Sequence, residues 1–254
     1  MRRFFVPQGL LGSTEISLPK EVAHHIKTVL RLRQGADILL CDGHGQCCHG
    51  QIETLSSNGG SVAVVDHWFE EETALRFELI QALPSGDKFD LILQKNTELG
   101  VARFQPVTTD RCQFSVPANK VARKIERWQR IINEAARQSG RGWLPQVESP
   151  LTLEQAVSQC QAQFKLILWE EATQPIRDVL PCQSPESVAV VVGPEGGLSS
   201  AEVDCALKYG FIPVGLGPRI LRTETAGFAL SAILQFHYGD LNLVPKREAI
   251  ATQS

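Results

Sequence analysis

Two glycine-rich stretches hold the residues best suited to chemistry. The first is Gly193-Pro194-Glu195-Gly196-Gly197. The second runs Gly215-Leu216-Gly217-Pro218-Arg219-Ile220-Leu221-Arg222-Thr223-Glu224-Thr225-Ala226. Glycine lets backbone N–H and C=O groups approach a ligand closely. Each stretch follows a run that reads as a strand, and in open α/β sheets ligands gather at the carboxyl ends of strands. Neither stretch is a G-x-G-x-x-G or G-x-x-x-x-G-K-[ST] phosphate cradle, and no G-x-S-x-G elbow occurs. Dinucleotide, nucleoside-triphosphate and serine-hydrolase chemistry therefore lose their main support.

Two other clusters carry less. Cys41-x-x-His44-x-x-Cys47-Cys48-His49 offers soft ligands. Zinc, however, wants four of them placed tetrahedrally, and these straddle an expected hairpin whose alternate side chains point to opposite faces. No metal is expected. Glu170 and Glu171 are adjacent, so they point in different directions and make a poor acid–base couple. They read as a solvated loop, or, at a strand end, as one acceptor for a ligand ammonium or hydroxyl.

The elements that would position these residues follow from pattern. Residues 1–70 read as β-rich, with strands at 36–41, 47–55 and 61–66 joined by Gly turns, after a short helix over 21–32. Short strands with tight turns suggest a small barrel. The acidic patch Glu70-Glu71-Glu72-Thr73 marks the change of pattern, giving domains 1–72 and 73–243 and a frayed tail, 244–254. From Phe77 strands alternate with helices, the signature of a parallel sheet with helices on its faces. Strands are expected at 77–83, 104–108, 165–169, 188–192 and 211–215, and helices at 88–99, 119–139, 153–161 and 200–209. Thr223 or Thr225 is expected to cap a last helix through Phe236, with Ala229, Ile233 and Phe236 on its core face. Val121, Ile125, Trp128, Ile132 and Ala135 form one apolar stripe, which makes 119–139 the clearest helix. Ser199-Ser200-Ala201-Glu202 is a capping box.

The 254 residues are 43% hydrophobic and 21% charged, an ordinary globular composition. The longest clean apolar run is 188–192, far below the roughly 20 residues that span a bilayer. Pro7 and Gly9 cut the amino-terminal apolar stretch below what a signal peptide needs, so the expected compartment is the cytoplasm, with no membrane partner. Cysteines at 41, 47, 48, 112, 160, 182 and 205 are odd in number and scattered; they read as buried thiols rather than a disulfide framework. The net charge of -3 conceals two basic islands, 1–33 at net +4 and 120–141 at net +5. Basic islands in an acidic protein suggest either a localised polyanion footprint or solvated faces.

Four motifs together resemble a known family. They are Gln94-Lys95-Asn96-Thr97-Glu98-Leu99-Gly100-Val101, Glu134-Ala135-Ala136-Arg137-Gln138-Ser139-Gly140-Arg141, Gly193–Ser199 and Leu216–Ala226. In this order they resemble the bacterial 16S ribosomal RNA uridine-N3 methyltransferases of the SPOUT superfamily. The amino end, with Met1–Val6, His24-His25 and Val29-Leu30-Arg31, resembles that family's PUA-like RNA-binding domain.

The resemblance implies a small PUA-like β-barrel followed by a SPOUT-type parallel sheet with helices on both faces and a deep trefoil knot. It implies a homodimer whose active site is completed across the interface. S-adenosylmethionine would lie against Leu168, Glu170, Gly193, Pro194, Glu195, Gly196, Gly197, Leu216, Gly217, Ile220, Leu221, Thr223 and Ala226. The substrate would be one uridine in 16S rRNA of the small ribosomal subunit. Another base, a ribose 2'-O, or a non-catalytic assembly role are the alternatives. N3 of uracil must lose a proton before it attacks, so a base or a stabilising cation is required. Arg222 is assigned the developing charge on the uracil oxygens; Glu195 or Glu224 is assigned the proton, or the orientation of the base. Arg2, Arg3, His24, Lys27, Arg31 and Arg33 would grip RNA phosphates from the small domain. Arg123, Lys124, Arg127, Arg130, Arg137 and Arg141 would grip them beside the active site.

Overall fold

The computed structural model describes residues 1–72 and 75–243. Residue 73, where the second domain was expected to begin, and the tail 244–254 lie outside them. Strands β1 (Arg2–Phe5), β2 (Glu15–Leu18), β3 (Asp37–Cys41), β4 (Gln46–Ser56) and β5 (Gly59–Phe69) form the first sheet, with helix α1 (Lys20–His24) after β2. The order is β1-β3-β4-β5-β2, with β1 and β3 parallel and the other pairs antiparallel. Phe4 and Val6 at one end of the path and Ile16 and Leu18 at the other enter the same buried cluster, so the sheet folds around one core. Strands β1 and β2, four residues each, escaped the sequence reading because they are too short to show a period. The expected helix 21–32 is shorter: α1 passes into a π-turn over His25–Val29.

Cys41 and Cys47 are direct cross-strand partners and form a disulfide. This corrects their reading as free thiols. Spacing in the sequence does not reveal that the hairpin sets them opposite each other. The other candidate ligands have different partners: His44 packs on Trp143, Cys48 is buried, and His49 Nε2 lies 2.9 Å from Asp37 Oδ1.

The second sheet contains β6 (Arg76–Ala82), β7 (Arg103–Thr108), β8 (Gln146–Val147), β9 (Leu151–Thr152), β10 (Phe164–Leu168), β11 (Ser187–Val192) and β12 (Ile212–Val214). Its order is β12-β10-β11-β6-β7-β8, with β9 also on β7, and every pair is parallel. Helices α2 (Lys88–Glu98), α3 (Val121–Ser139), α4 (Leu153–Gln159), α5 (Ser200–Lys208) and α6 (Thr223–Tyr238) complete the layer. Val188, Val190 and Val192 of β11 face the cluster formed with α2, α3 and α6, and Ala189 and Val191 face the one with α4 and α5. Burying each such valine contributes about 1.5–3 kcal/mol. Trp128 of α3, 2% exposed, packs edge-on against Phe89 of α2 with ring centroids 4.7 Å apart.

Helix α6 departs from the expected face. Its buried side carries Gly227, Leu230, Ser231, Leu234 and Gln235, while Phe236 is 57% exposed. The seam is partly polar because Ser231 Oγ donates to Asn96 Oδ1 of α2 at 2.7 Å and Gln235 Nε2 to Gly100 O at 3.2 Å. A hydrophobic stripe cannot reveal a face that buries amides and hydroxyls.

Glu70 joins the two layers. Its carboxylate accepts from Arg3 Nη1 at 2.9 Å and from Gly142 N at 2.6 Å, and its carbonyl accepts from Trp143 Nε1 at 2.6 Å. Leu144 N donates to Gly43 O, in the turn between β3 and β4, at 3.0 Å. A Cβ on Gly142 would lie 2.9 Å from Glu70 Cδ, so a side chain there would make the carboxylate shift. Replacing Glu70 with alanine leaves the Arg3 guanidinium, 10% exposed, and the buried Gly142 N–H without this acceptor. Glu70→Ala should lower stability by about 2–4 kcal/mol, measured by denaturant unfolding. An unchanged midpoint would show that the joint carries no such coupling.

Candidate functional site

A cavity of about 520 Å³ opens at the carboxyl ends of β10, β11 and β12. Leu168, Val192, Val214, Leu216 and Leu221 supply apolar wall; Lys88, Glu170, Arg219, Arg222 and Glu224 supply polar groups. Small-molecule sites are commonly about 300–1,000 Å³ with a few convergent polar groups. At the exit of β11 a Cβ on Gly193 would come 2.9 Å from Leu198 Cγ, so only glycine lets the chain turn there. Gly217 adopts φ +85°, a left-handed conformation that suits glycine.

The two glycine-rich loops are bonded to each other. Thr223 Oγ1 donates to Gly193 O at 2.6 Å and accepts from Gln81 Nε2 of β6 at 3.0 Å. The loop after β6 is bonded in as well: Glu195 accepts from Ser85 N at 3.0 Å, Ser85 Oγ at 2.7 Å and Lys88 Nζ at 2.6 Å. Burial pushes the Glu195 carboxyl up, but the Lys88 ammonium and the Ser85 donors outweigh this and hold it down at about 2. A carboxylate so stabilised is a clamp and a weak base. Glu224, in the first turn of α6, has its Oε2 buried without a hydrogen-bond partner. Arg222, at the N-cap of α6, is exposed and makes no side-chain hydrogen bond or ion pair among the described residues.

The structure brings nearly all the expected pocket residues together. Leu168, Glu170, Gly193, Pro194, Glu195, Gly197, Leu216, Gly217, Ile220, Leu221, Thr223 and Ala226 all line the cavity, as do Arg222 and Glu224. Gly196 does not; its carbonyl accepts from Arg111 Nη1 at 3.0 Å on the outer side of the loop. Sequence reasoning missed Gln81, Ser85, Lys88 and Arg111. Ser85-Gly86-Asp87-Lys88 was a usable signal, since it is a strand–turn–helix passage of the same kind as the two loops. Gln81 was another, an amide inside an otherwise apolar run.

The basic residues separate into two groups. Arg2, His24, Lys27, Arg31, Arg33, Arg123 and Arg130 are exposed. Lys124 lies over the Phe114 ring at 5.4 Å, and Arg127 pairs with Asp90 of α2. Three others have partners within the protein. Arg3 is held by Glu70. Arg137 pairs with Glu134 and donates from Nη1 to His25 Nε2 at 2.8 Å, joining α3 to the first layer. Arg141 donates to Thr97 O at 2.9 Å and Val101 O at 2.8 Å, capping the end of α2. Burial, with Arg137 next, lowers the His25 pKa, in keeping with a neutral ring that accepts from Arg137. Charge counted along a chain does not distinguish an arginine facing solvent from one facing carbonyls.

Residues 71–235 match the family described as RNA methyltransferase domain, and 18–65 match the RNA methyltransferase PUA domain. The chain is 35% identical over 92% of its length to ribosomal RNA small subunit methyltransferase E of Bacillus subtilis (strain 168), covering 96% of that protein. It is 36% identical to the protein of the same name from Synechocystis sp., over 89% of this chain and 74% of that one. A solved ribosomal RNA small subunit methyltransferase E from Neisseria gonorrhoeae, bound to S-adenosyl methionine, superposes with a TM-score of 0.86 at 33% identity, covering 95% of this chain and 99% of that one. A Legionella pneumophila protein in complex with the bound cofactor SAM superposes at 0.88 with 35% identity, again over 95% and 99%. With a methyltransferase domain over most of its length and a PUA domain ahead of it, the chain belongs to the RNA methyltransferase family.

Proposed function

We propose that this protein transfers the methyl group of S-adenosylmethionine to N3 of one uridine in 16S rRNA of the small ribosomal subunit, in the cytoplasm. The observation that carries the reading is the single cavity walled by both glycine-rich loops, in a fold shared with proteins solved with that cofactor. The residues fit the group: apolar wall for the adenine, and the unpartnered Glu224 Oε2 for a polar substituent of cofactor or substrate. The trefoil knot and the shared-site homodimer belong to the same reading and rest on the family resemblance.

When bound, the cofactor supplies an electrophilic methyl group on a sulfonium. The chain's task is to place uracil N3 in line with it and to manage one proton. Glu224 accepts the N3 proton, and Arg222 stabilises the charge left on the uracil oxygens. With the cofactor bound, methyl transfer would form the N–C bond and break the S–C bond. Glu195 is bound by Lys88 and Ser85, so its part is to fix the loop. Arg2, His24, Lys27, Arg31, Arg33 and Arg123 hold phosphates, and the uridine turns out of its stack to reach the cavity.

The direct test mixes labelled cofactor, the protein and small subunits from cells lacking the activity, followed by nucleoside analysis. Label in 3-methyluridine at one site supports the proposal. Label in another nucleoside moves it to a different acceptor, and RNA binding without label favours the assembly role.

At saturating RNA, Arg222→Ala and Glu224→Gln should each lower kcat by about 10²-fold. Glu195→Gln should act mainly on cofactor affinity. Wild-type turnover in either of the first two removes that residue's role.

RNA affinity should fall with salt, with a log–log slope on the order of -3 to -4 for about five phosphate contacts. Arg31→Ala should flatten that slope by about 0.7, whereas Arg141→Ala should lower Tm and leave the slope alone. A flat salt response would sink the phosphate grip.

A further inference from the structure

Gln81 does not fit the strand that holds it. It lies on the α2/α6 side of β6, between Leu79 and Leu83, which are 0% and 1% exposed. Its neighbours across the sheet are Val192 and Pro106, and it is itself 0% exposed. Burying an amide costs free energy unless every polar atom is paired, and Gln81 Oε1 has no partner. An apolar side chain of the same length would serve the core better. A residue that weakens the core is expected where function demands it.

The other end of the amide is engaged. Nε2 donates to Ala82 O and to Thr223 Oγ1, both at 3.0 Å, and Thr223 Oγ1 in turn donates a hydrogen bond to Gly193 O at 2.6 Å. Pro194 follows Gly193, so the peptide between them has no N–H and the Gly193 carbonyl is its polar handle. One chain of bonds thus runs from the central sheet, through the first residue of α6, to the exit of β11. Gln81 itself does not line the cavity. Without the amide, the Thr223 hydroxyl is free to leave the one rotamer that reaches Gly193.

We propose that Gln81 is a positioning residue for the cofactor: it fixes the Thr223 hydroxyl on Gly193 O and so sets the separation of the two glycine-rich loops across the pocket. The proposal rests on the reading of the cavity as the S-adenosylmethionine site. The test uses Gln81→Met, which keeps the length and removes the donor, in the full chain. S-adenosylmethionine is titrated calorimetrically, Tm is recorded, and kcat is measured at saturating cofactor. The expected result is a cofactor Kd raised about tenfold, with kcat much less affected and Tm unchanged or higher. Thr223→Val should raise Kd similarly, Thr223→Ser should restore most of the loss, and the double variant should be no worse than Thr223→Val alone. Wild-type affinity in Gln81→Met, or additive losses in the double variant, overturns the inference and leaves the proposed function standing. Failure of the wild-type protein to bind S-adenosylmethionine overturns both.

Discussion

Strand β11 is buried on both faces and flanked by β10 and β6, so only its carboxyl end is left to meet a ligand. The site is organised around that end. The chain leaves β11 at Gly193, where no side chain fits, and turns into a loop whose Glu195 is bound by the passage that leaves β6. The second glycine-rich loop enters from β12 and is tied to the first through Thr223. The cavity is therefore defined by the same bonds that hold the sheet's central strands.

Much of this was legible because local rules and tertiary structure agree. The capping box at Ser199 forms as expected, with Ser199 accepting from Glu202 N and the Glu202 side chain accepting from Ser199 N. The apolar stripe of α3 buries Trp128, Ile132 and Ala135. The glycine-rich motifs pointed to one pocket because each lies just after a strand, and parallel strands deliver their ends to one edge.

What stayed hidden was the choice of polar partner. Nothing along the chain shows that Glu195 meets Lys88, or that Arg3 meets Glu70 across 67 positions. Ala229, Ile233 and Phe236 were expected on the core face of α6, yet it is Ser231 and Gln235 that meet Asn96 and Gly100 inside the protein. The core face of that helix was misplaced for this reason. Arg137 and Arg141, grouped along the chain with Arg123, have partners within the protein, and nothing in the sequence separates the three.

The Glu70 joint has a mechanical consequence. Two carboxylate oxygens and a carbonyl of one residue tie the first layer to the second. On the proposed reading, the exposed cations of 1–33 and the cavity mouth then stand at a set span, like the jaws of a caliper. A folded RNA would be admitted by the distance between its backbone and the presented base. Loosening the hinge would blunt that measurement before it weakened the chemistry.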